Sequence, residues 1–304
     1  MSLVLIRGAL EQGLLFSLTA LGLYLSFRTL NIADMTVDGS FTLGAAVSAT
    51  LVTLGHPFLA LLCAVMAGSL AGLVSALLQT RLRIQSILAG IITMTGLYSI
   101  NLRVMGGRSN VTLLRLPTVF SCVRSALPTA FQPWSRLLVA VVAAALCGIL
   151  LTAFLRTRLG LSIRATGDNP AMVSASSINP QRTVTVGLCI ANALPALSGA
   201  LIAQYQQFCD ITMGTGMVVI GLASLIIGEV ISGVMRRPSV WRGVVASLLG
   251  GAVYWVIIAF AISSSISAND LKLLSALIVA VAISWPVMIA RVKFQMKKKA
   301  NRPC

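Results

Sequence analysis

An all-helical protein that crosses a membrane several times is the fold this sequence predicts, and three observations carry the prediction. Hydrophobic residues make up 57% of the 304 and charged residues only 10%, whereas a soluble domain carries roughly a quarter charged residues. The apolar residues are gathered into runs of about 20, the length a helix needs to cross ~30 Å of hydrocarbon. The 23 Lys and Arg, which give a net charge of +16, fall mostly in short stretches between those runs and in a basic tail. Charges so placed flank a membrane; they do not form the basic surface that binding to nucleic acid requires, and that class is set aside.

Nine runs qualify by length, at about 9–27, 38–55, 58–78, 84–105, 137–155, 184–205, 215–234, 243–262 and 272–290, making 1–304 a single transmembrane domain. The first has no small-residue cleavage site after it and reads as a retained helix rather than a signal peptide. Its Glu11 lies near the outer end, within reach of water. A polar break, NIADMTVDGS over 31–40, joins the first run to the second. It reads as a discontinuous helix in which Asn31, Asp34, Thr36, Asp38 and Gly39 line a translocation pathway. It also reads as a turn in which Asp38 or Ser40 caps the second helix.

Small residues at a spacing of four recur later, in Gly68-x3-Gly72, Gly199-x3-Ala203 and Ser247-x3-Gly251. They let helix backbones approach closely in lipid, within one subunit or across a dimer seam. Pro195 and Pro286 each remove a backbone donor inside a run and predict kinks. Glu229 stands in the otherwise apolar seventh run, where an unpaired carboxylate costs about 3 kcal/mol. It is a gate candidate, or the structural partner of Arg236, Arg237 or Arg242.

The polar insert between the fifth and sixth runs, 156–183, predicts its own short helix. Asn169 suits the N-cap, Pro170 the first helical position, Ala171 to Ser177 continue it, and Asn179-Pro180 stops it. A short capped helix outside the bilayer is a docking element for a soluble partner. Alternation of the runs puts this insert, Arg28, Arg81, Arg83, Arg236-Arg237 and the tail from residue 291 on one side. Sixteen basic residues lie there against seven on the other, so that side is assigned to the cytoplasm, with the C-terminus. The opposite segment, Gly106 to Arg136, carries Arg108, Arg115, Arg124 and Arg136; either it is a structured external cap or one run is miscounted.

Catalysis finds little support. There is no G-x-x-x-x-G-K-[ST], so the chain has no phosphate-binding loop of that kind, and any ATP and Mg belong to a partner. The single histidine, His56, has no Cys, Asp or Glu neighbour with which to hold a metal. The six cysteines form no C-x-x-C pair and read as small core residues; Cys122 and Cys209, both in external segments, are the one pair placed to form a bridge.

Three segments resemble the permease subunits of bacterial ABC importers in the branched-chain amino acid and ribose group: 24–49, 159–179 and 191–203. The second is the most specific, because Arg164, Gly167, Asn169, Pro170, Ala171 and Ala175 stand in the order and spacing of that family's ATPase-docking segment. DMTVDGSF (34–41) looks most like permeases for aromatic amino acid uptake, such as tryptophan or tyrosine systems. It differs from branched-chain permeases in its longer Asn31-to-Gly39 interval, and from sugar permeases in the additional Asp38. The resemblance implies a non-enzymatic subunit of the bacterial inner membrane that forms a solute pathway with a second permease copy or a homologous permease. It implies two further partners, cytosolic ABC ATPase subunits and an extracytoplasmic solute-binding protein. In that scheme Met172 and Val173 make apolar contact in the ATPase cleft and Arg164 anchors the loop. The competing reading is a secondary transporter in which Asp34, Asp38 or Glu229 carries a coupling ion.

Overall fold

The computed structural model describes residues 3–129, 131–232 and 239–263, with Leu277, Ala280 and Ser284 beyond them. The pair Arg236-Arg237, Pro286, the tail and all but three residues of the ninth run lie outside these. Six helices are long and apolar enough to span a membrane: Val4–Thr29, Pro57–Thr80, Ser86–Val104, Gln132–Arg156, Pro180–Gln206 and Val240–Ser263. The expected count of nine is therefore not reached among the described residues. Two of the expected spans fall short for physical reasons: α2 (Thr36–Thr53) is rich in Thr, Ser and Gly, and α10 (Met217–Ser232) has only 16 residues.

The first span is α1 (Leu3–Leu23) continued by a π-helical turn, Tyr24–Thr29. The wide turn is held by Leu30 N–H donating to the Leu25 carbonyl at 3.0 Å and Thr29 Oγ1 to the Tyr24 carbonyl at 3.0 Å. Asn31 ends it with φ 57°, a left-handed conformation that Asn tolerates better than most residues. After α2 come α3 (Pro57–Thr80) and α4 (Ser86–Val104), then β1 (Asn110–Thr112), α5 (Val119–Ala126), a 3₁₀ turn at Gln132–Trp134, and α6 (Ser135–Arg156). The polar insert folds as α7 (Arg158–Asp168) and α8 (Pro170–Ala175), and leads into α9 (Pro180–Gln206), β2 (Phe208–Asp210), α10 and α11 (Val240–Ser263).

α9 is the central helix, packed against α1, α2 and α3. Its neighbours approach through missing side chains. A Cβ on Gly68 or Gly72 of α3 would collide with the Asn192 or Leu188 carbonyl of α9, and one on Gly199 with the Phe41 carbonyl of α2. Gly251 of α11 sits likewise against Ser17 of α1. The small-residue faces thus serve packing inside one subunit. Pro195 lies within α9 and leaves the Ala191 carbonyl without its helical donor; Gly22 of α1 is pressed against that carbonyl and the proline ring.

Registers fix relative depth. Ser40 Oγ donates to Asn192 Oδ1 at 2.7 Å and Ser48 Oγ to the Ala200 carbonyl at 3.2 Å, both with an offset of 152 residues, so α2 and α9 run parallel. Thr36 is consequently level with Leu188, which places the start of α2 about 12 Å inside the start of α9 at 1.5 Å per residue. The stretch 211–216 turns inward from β2 to the same region, with Gly214 against the Asp38 carbonyl, and α10 starts there. Two helix N-termini therefore meet within the bundle, as the expected discontinuity near 31–40 requires.

The described residues of the 106–136 segment form a structured cap. β1 pairs antiparallel with β2, Thr118 and Ser121 form a capping box at the start of α5, and the Arg136 guanidinium lies 5.5 Å from the Tyr205 ring centroid. The Arg7 guanidinium stacks over Trp134 at 5.4 Å. Glu11 is withdrawn from water, at 3% exposure, because Arg7 Nε and the Tyr205 hydroxyl each donate to it at 2.9 Å. Cys122 and Cys209 are both free thiols, and Cys209 is buried. Its burial and the neighbouring Asp210 carboxylate push that thiol up to about 12.

Candidate functional site

The polar break resolves into two linked parts. Asp34 is 3% exposed; one carboxylate oxygen accepts from Thr36 N–H at 2.9 Å, at the start of α2, and the other from Asn192 Nδ2 at 2.6 Å. Asn192 in turn accepts from Ser40 and donates to the Leu188 carbonyl at 3.1 Å. A buried carboxylate is stable here because each oxygen meets a donor. Asp38, one turn further along α2, accepts from Gly216 N–H at 2.9 Å and Val218 N–H at 2.8 Å. It therefore caps α10 from a different helix, where orphan N–H groups and the helix dipole favour an anion. Gly214 N–H donates to Thr42 Oγ1 at 3.1 Å and ties the inward stretch to α2.

Beside this junction is a cavity of about 260 Å³ between α2, α4 and the 211–216 stretch. Asp38, Gly39 and Thr42 form one wall, Met94, Thr95, Tyr98 and Asn101 the second, and Ile211, Gly214 and Thr215 the third. Of the residues expected to line a pathway, the structure brings Asp38 and Gly39 to this cavity. Asn31 is exposed at the end of the π turn, Asp34 and Thr36 are buried at the start of α2, and Glu229 lies at the far end of α10.

Glu229 pairs with Arg28 of the π turn, Nε to Oε1 at 2.9 Å, with the Arg28 side chain half exposed. The sequence placed its partner one or two turns along the chain; the structure supplies Arg28 from another segment. Arg242 is exposed and makes no ion pair among the described residues, and Arg236 and Arg237 lie outside them.

The polar insert stands at the same end. Asn169 Oδ1 accepts from Met172 N–H at 3.1 Å and caps α8. The helix is one turn and a half, ending at Ala175 rather than Ser177, because Ser177 takes φ 61° and Ile178 N–H folds back to the Val173 carbonyl. Pro170, Ala171 and Ala175 are exposed, and Met172 is 68% exposed, but Val173 is 4% exposed and faces the protein. Arg164 and Gly167 are not on this helix; they belong to α7, where Arg164 is exposed and Gly167 abuts the Thr29 carbonyl at the end of the π turn. The insert thus touches the same turn that carries Arg28.

Sequence reasoning missed Asn192, Asn101 and Gln204. Gln204 accepts from Val119 N–H at 2.8 Å and donates to Ser48 Oγ and the Pro57 carbonyl at 3.1 Å. The signal was present, since an amide inside an apolar span needs a partner. Among the described residues no group of His, Cys, Asp and Glu could hold a metal ion.

Comparison with known proteins gives a consistent result. Residues 5–289 match the family described as the permease component of the branched-chain amino acid transport system. The chain is 37% identical over 275 residues to a tyrosine transport system permease protein of Clostridioides difficile (strain R20291), covering 90% of this chain and 88% of that one. It is 32% identical to an uncharacterized protein of Rickettsia prowazekii (strain Madrid E), over 91% of this chain and 95% of the relative. A probable branched-chain amino acid transport permease protein, LivH, of Methanocaldococcus jannaschii is 25% identical over 74% of each chain. No solved structure matches.

Proposed function

Because this chain belongs to the family of permease components of branched-chain amino acid transport systems, a multi-pass membrane transport component and not an enzyme, we propose that it forms the solute pathway of an ABC importer. Its solute is an amino acid. The pathway is shared with a second permease copy or a homologous permease. A cytosolic ATPase binds ATP and Mg and docks on the 156–183 insert, and an extracytoplasmic solute-binding protein delivers the solute.

The observation that carries this reading is α8, a capped helix standing out from the bundle with Met172 exposed and Val173 fastening it to the protein. Behind it α7 meets the π turn at Gly167 and Thr29, and the π turn meets α10 through Arg28 and Glu229. ATPase closure would move α8, and that contact chain offers a path to α10 and Asp38. Only contacts that differ between two access states do the coupling. An ion-coupled secondary transporter has less to stand on, since Asp34, Asp38 and Glu229 each already hold protein partners.

The test is affinity purification of the chain from its native membrane, with its partners identified by mass. An ATPase that co-purifies, and is lost when Asn169-Pro170-Ala171 is replaced by charged residues, supports the reading. A chain that purifies alone and drives uptake in proteoliposomes without ATP overturns it.

A further inference from the structure

Two cavities of opposite character share one helix, α3. The first, of about 390 Å³, lies between the end of α3 and the start of α9. These helices run antiparallel, Gly68 facing Asn192 and Gly72 facing Leu188, so Thr80 comes level with Pro180 at the end of the bundle that carries the 156–183 insert. Arg81 and Arg182 line this pocket and no Asp or Glu does; neither arginine makes an ion pair or a side-chain hydrogen bond among the described residues. The hydroxyls of Thr80 and Thr185 are committed to the Ala76 and Gln181 carbonyls at 2.7 Å, which leaves the two guanidinium groups as its free charged donors. The dipole of α9, a helix of 27 residues, adds positive potential at the same place.

The second cavity, of about 590 Å³, is a groove between α3 and α4 with Leu43 and Val47 of α2 behind it. Thr93 brings its only hydroxyl, which donates to the Ala89 carbonyl at 2.8 Å, so the groove is apolar throughout. On α3, Leu70, Val74, Leu77 and Arg81 follow one another at helical spacings of four, three and four and form a single exposed stripe. Leu70 and Val74 belong to the groove, Leu77 and Arg81 to the charged pocket. From Arg81 to Leu70 the stripe runs about 16 Å, against about 15 Å for half the hydrocarbon core of a bilayer. An exposed arginine is ordinarily satisfied by water; two of them at the head of an apolar groove one leaflet deep match an amphiphile with an anionic head.

We propose that the pocket and the groove together hold one anionic phospholipid, its phosphate between Arg81 and Arg182 and an acyl chain along Leu70, Val74 and Gly96. A zwitterionic headgroup fits less well, because its ammonium would enter a pocket with two cations and no carboxylate. Asn179, which lines the pocket, also caps α9 where that helix leaves the insert, so the lipid sits at the root of the insert. The inference goes beyond the import reading and stands without it.

The test is native mass spectrometry of the full-length chain, with the subunits that accompany it, delipidated in detergent and titrated with dioleoyl phosphatidylglycerol or dioleoyl phosphatidylcholine. Phosphatidylglycerol should bind about tenfold more tightly. Arg81→Gln and Arg182→Gln should each weaken it about fivefold, and the double change should abolish the preference over phosphatidylcholine. Arg83→Gln, at the same end of α3 but outside the pocket, should change it less than about twofold. Gly96→Leu, whose added Cβ meets nothing within 4 Å, should fill the groove and weaken both lipids about fivefold or more. Four results would overturn the proposal. An equal loss in Arg83→Gln would show diffuse attraction to a basic surface, and unchanged binding in Gly96→Leu would leave the groove without an acyl chain. Displacement of the lipid by millimolar glycerol phosphate would assign the pocket to a free phosphate. Release of an accompanying subunit by Arg81→Gln or Arg182→Gln, with lipid binding unchanged, would assign it to a protein contact.

Discussion

Replacing Asn192 by Leu should destabilise the bundle, and the structure sets the scale. The substitution keeps the side-chain volume near constant while removing the donor to Asp34 at 2.6 Å and the acceptor for Ser40 at 2.7 Å. A hydrogen bond to a charged group contributes about 1.5–3 kcal/mol and a neutral one about 0.5–1.5 kcal/mol, so the expected loss is about 2–4.5 kcal/mol. It is not larger because Asp34 keeps Thr36 N–H. The decisive comparison is an exchange, Asp34→Asn together with Asn192→Asp. It moves the charge across the contact and preserves a donor, an acceptor and the Ser40 bond while giving up only the donation from residue 192 to the Leu188 carbonyl, so it should recover most of what either single change loses. The assay is unfolding in mixed micelles, followed by the near-ultraviolet signal. A loss below about 0.5 kcal/mol for Asn192→Leu, or an exchange no more stable than the worse single variant, would refute the argument that this contact anchors the start of α2.

Three further outcomes are expected. Met172→Glu should release the ATPase while leaving the permease as stable as before, and Val173→Asp should lower permease stability itself by about 2–4 kcal/mol; equal effects on stability would remove the distinction between the outward and inward faces of α8. Glu229→Gln and Arg28→Gln should each lower ATP-driven uptake and cost about 1–3 kcal/mol, with the double variant no worse than either, and unchanged uptake with unchanged thermal stability would leave the pair without a role. Maleimide at pH 8 should label Cys122 in the folded protein and spare Cys209, whose thiol stays protonated until about pH 12 and is buried; rapid labelling of Cys209 without denaturant would contradict its buried position within the β1–β2 ladder.

Fold class, the long spans and the short capped helix were legible because each depends on local pattern: run length, a capping Asn, a proline at the first turn. α2 and α10 were harder, since a helix that begins inside the bundle needs neither the length nor the uniform apolarity of a full span. Partners distant in sequence were not legible at all. Glu229 was given neighbours on its own loop, whereas Arg28 arrives across about 200 positions because the π turn and α10 end at the same level. Glu11 was assigned to water for the same reason, its neighbour Tyr205 being set by the antiparallel register of α1 and α9. Asn192 and Gln204 were visible as amides in an apolar run, and only three-dimensional registry with α2 tells what they hold.

The π turn at Tyr24–Thr29 has a consequence for how this chain tolerates changes of length. A π turn is an α-helix that has absorbed one surplus residue. Deleting a residue there would let the turn relax to ordinary pitch, with α1 still facing α9 on one side and Arg28 still close to α10 on the other. Deleting a residue between Glu11 and Gly22 would instead rotate one flank by about 100° relative to the other, turning Gly22 away from Pro195 or Glu11 away from Tyr205. Single-residue gaps between functional homologues in the first span should therefore collect in this one turn and be absent from the stretch between Glu11 and Gly22.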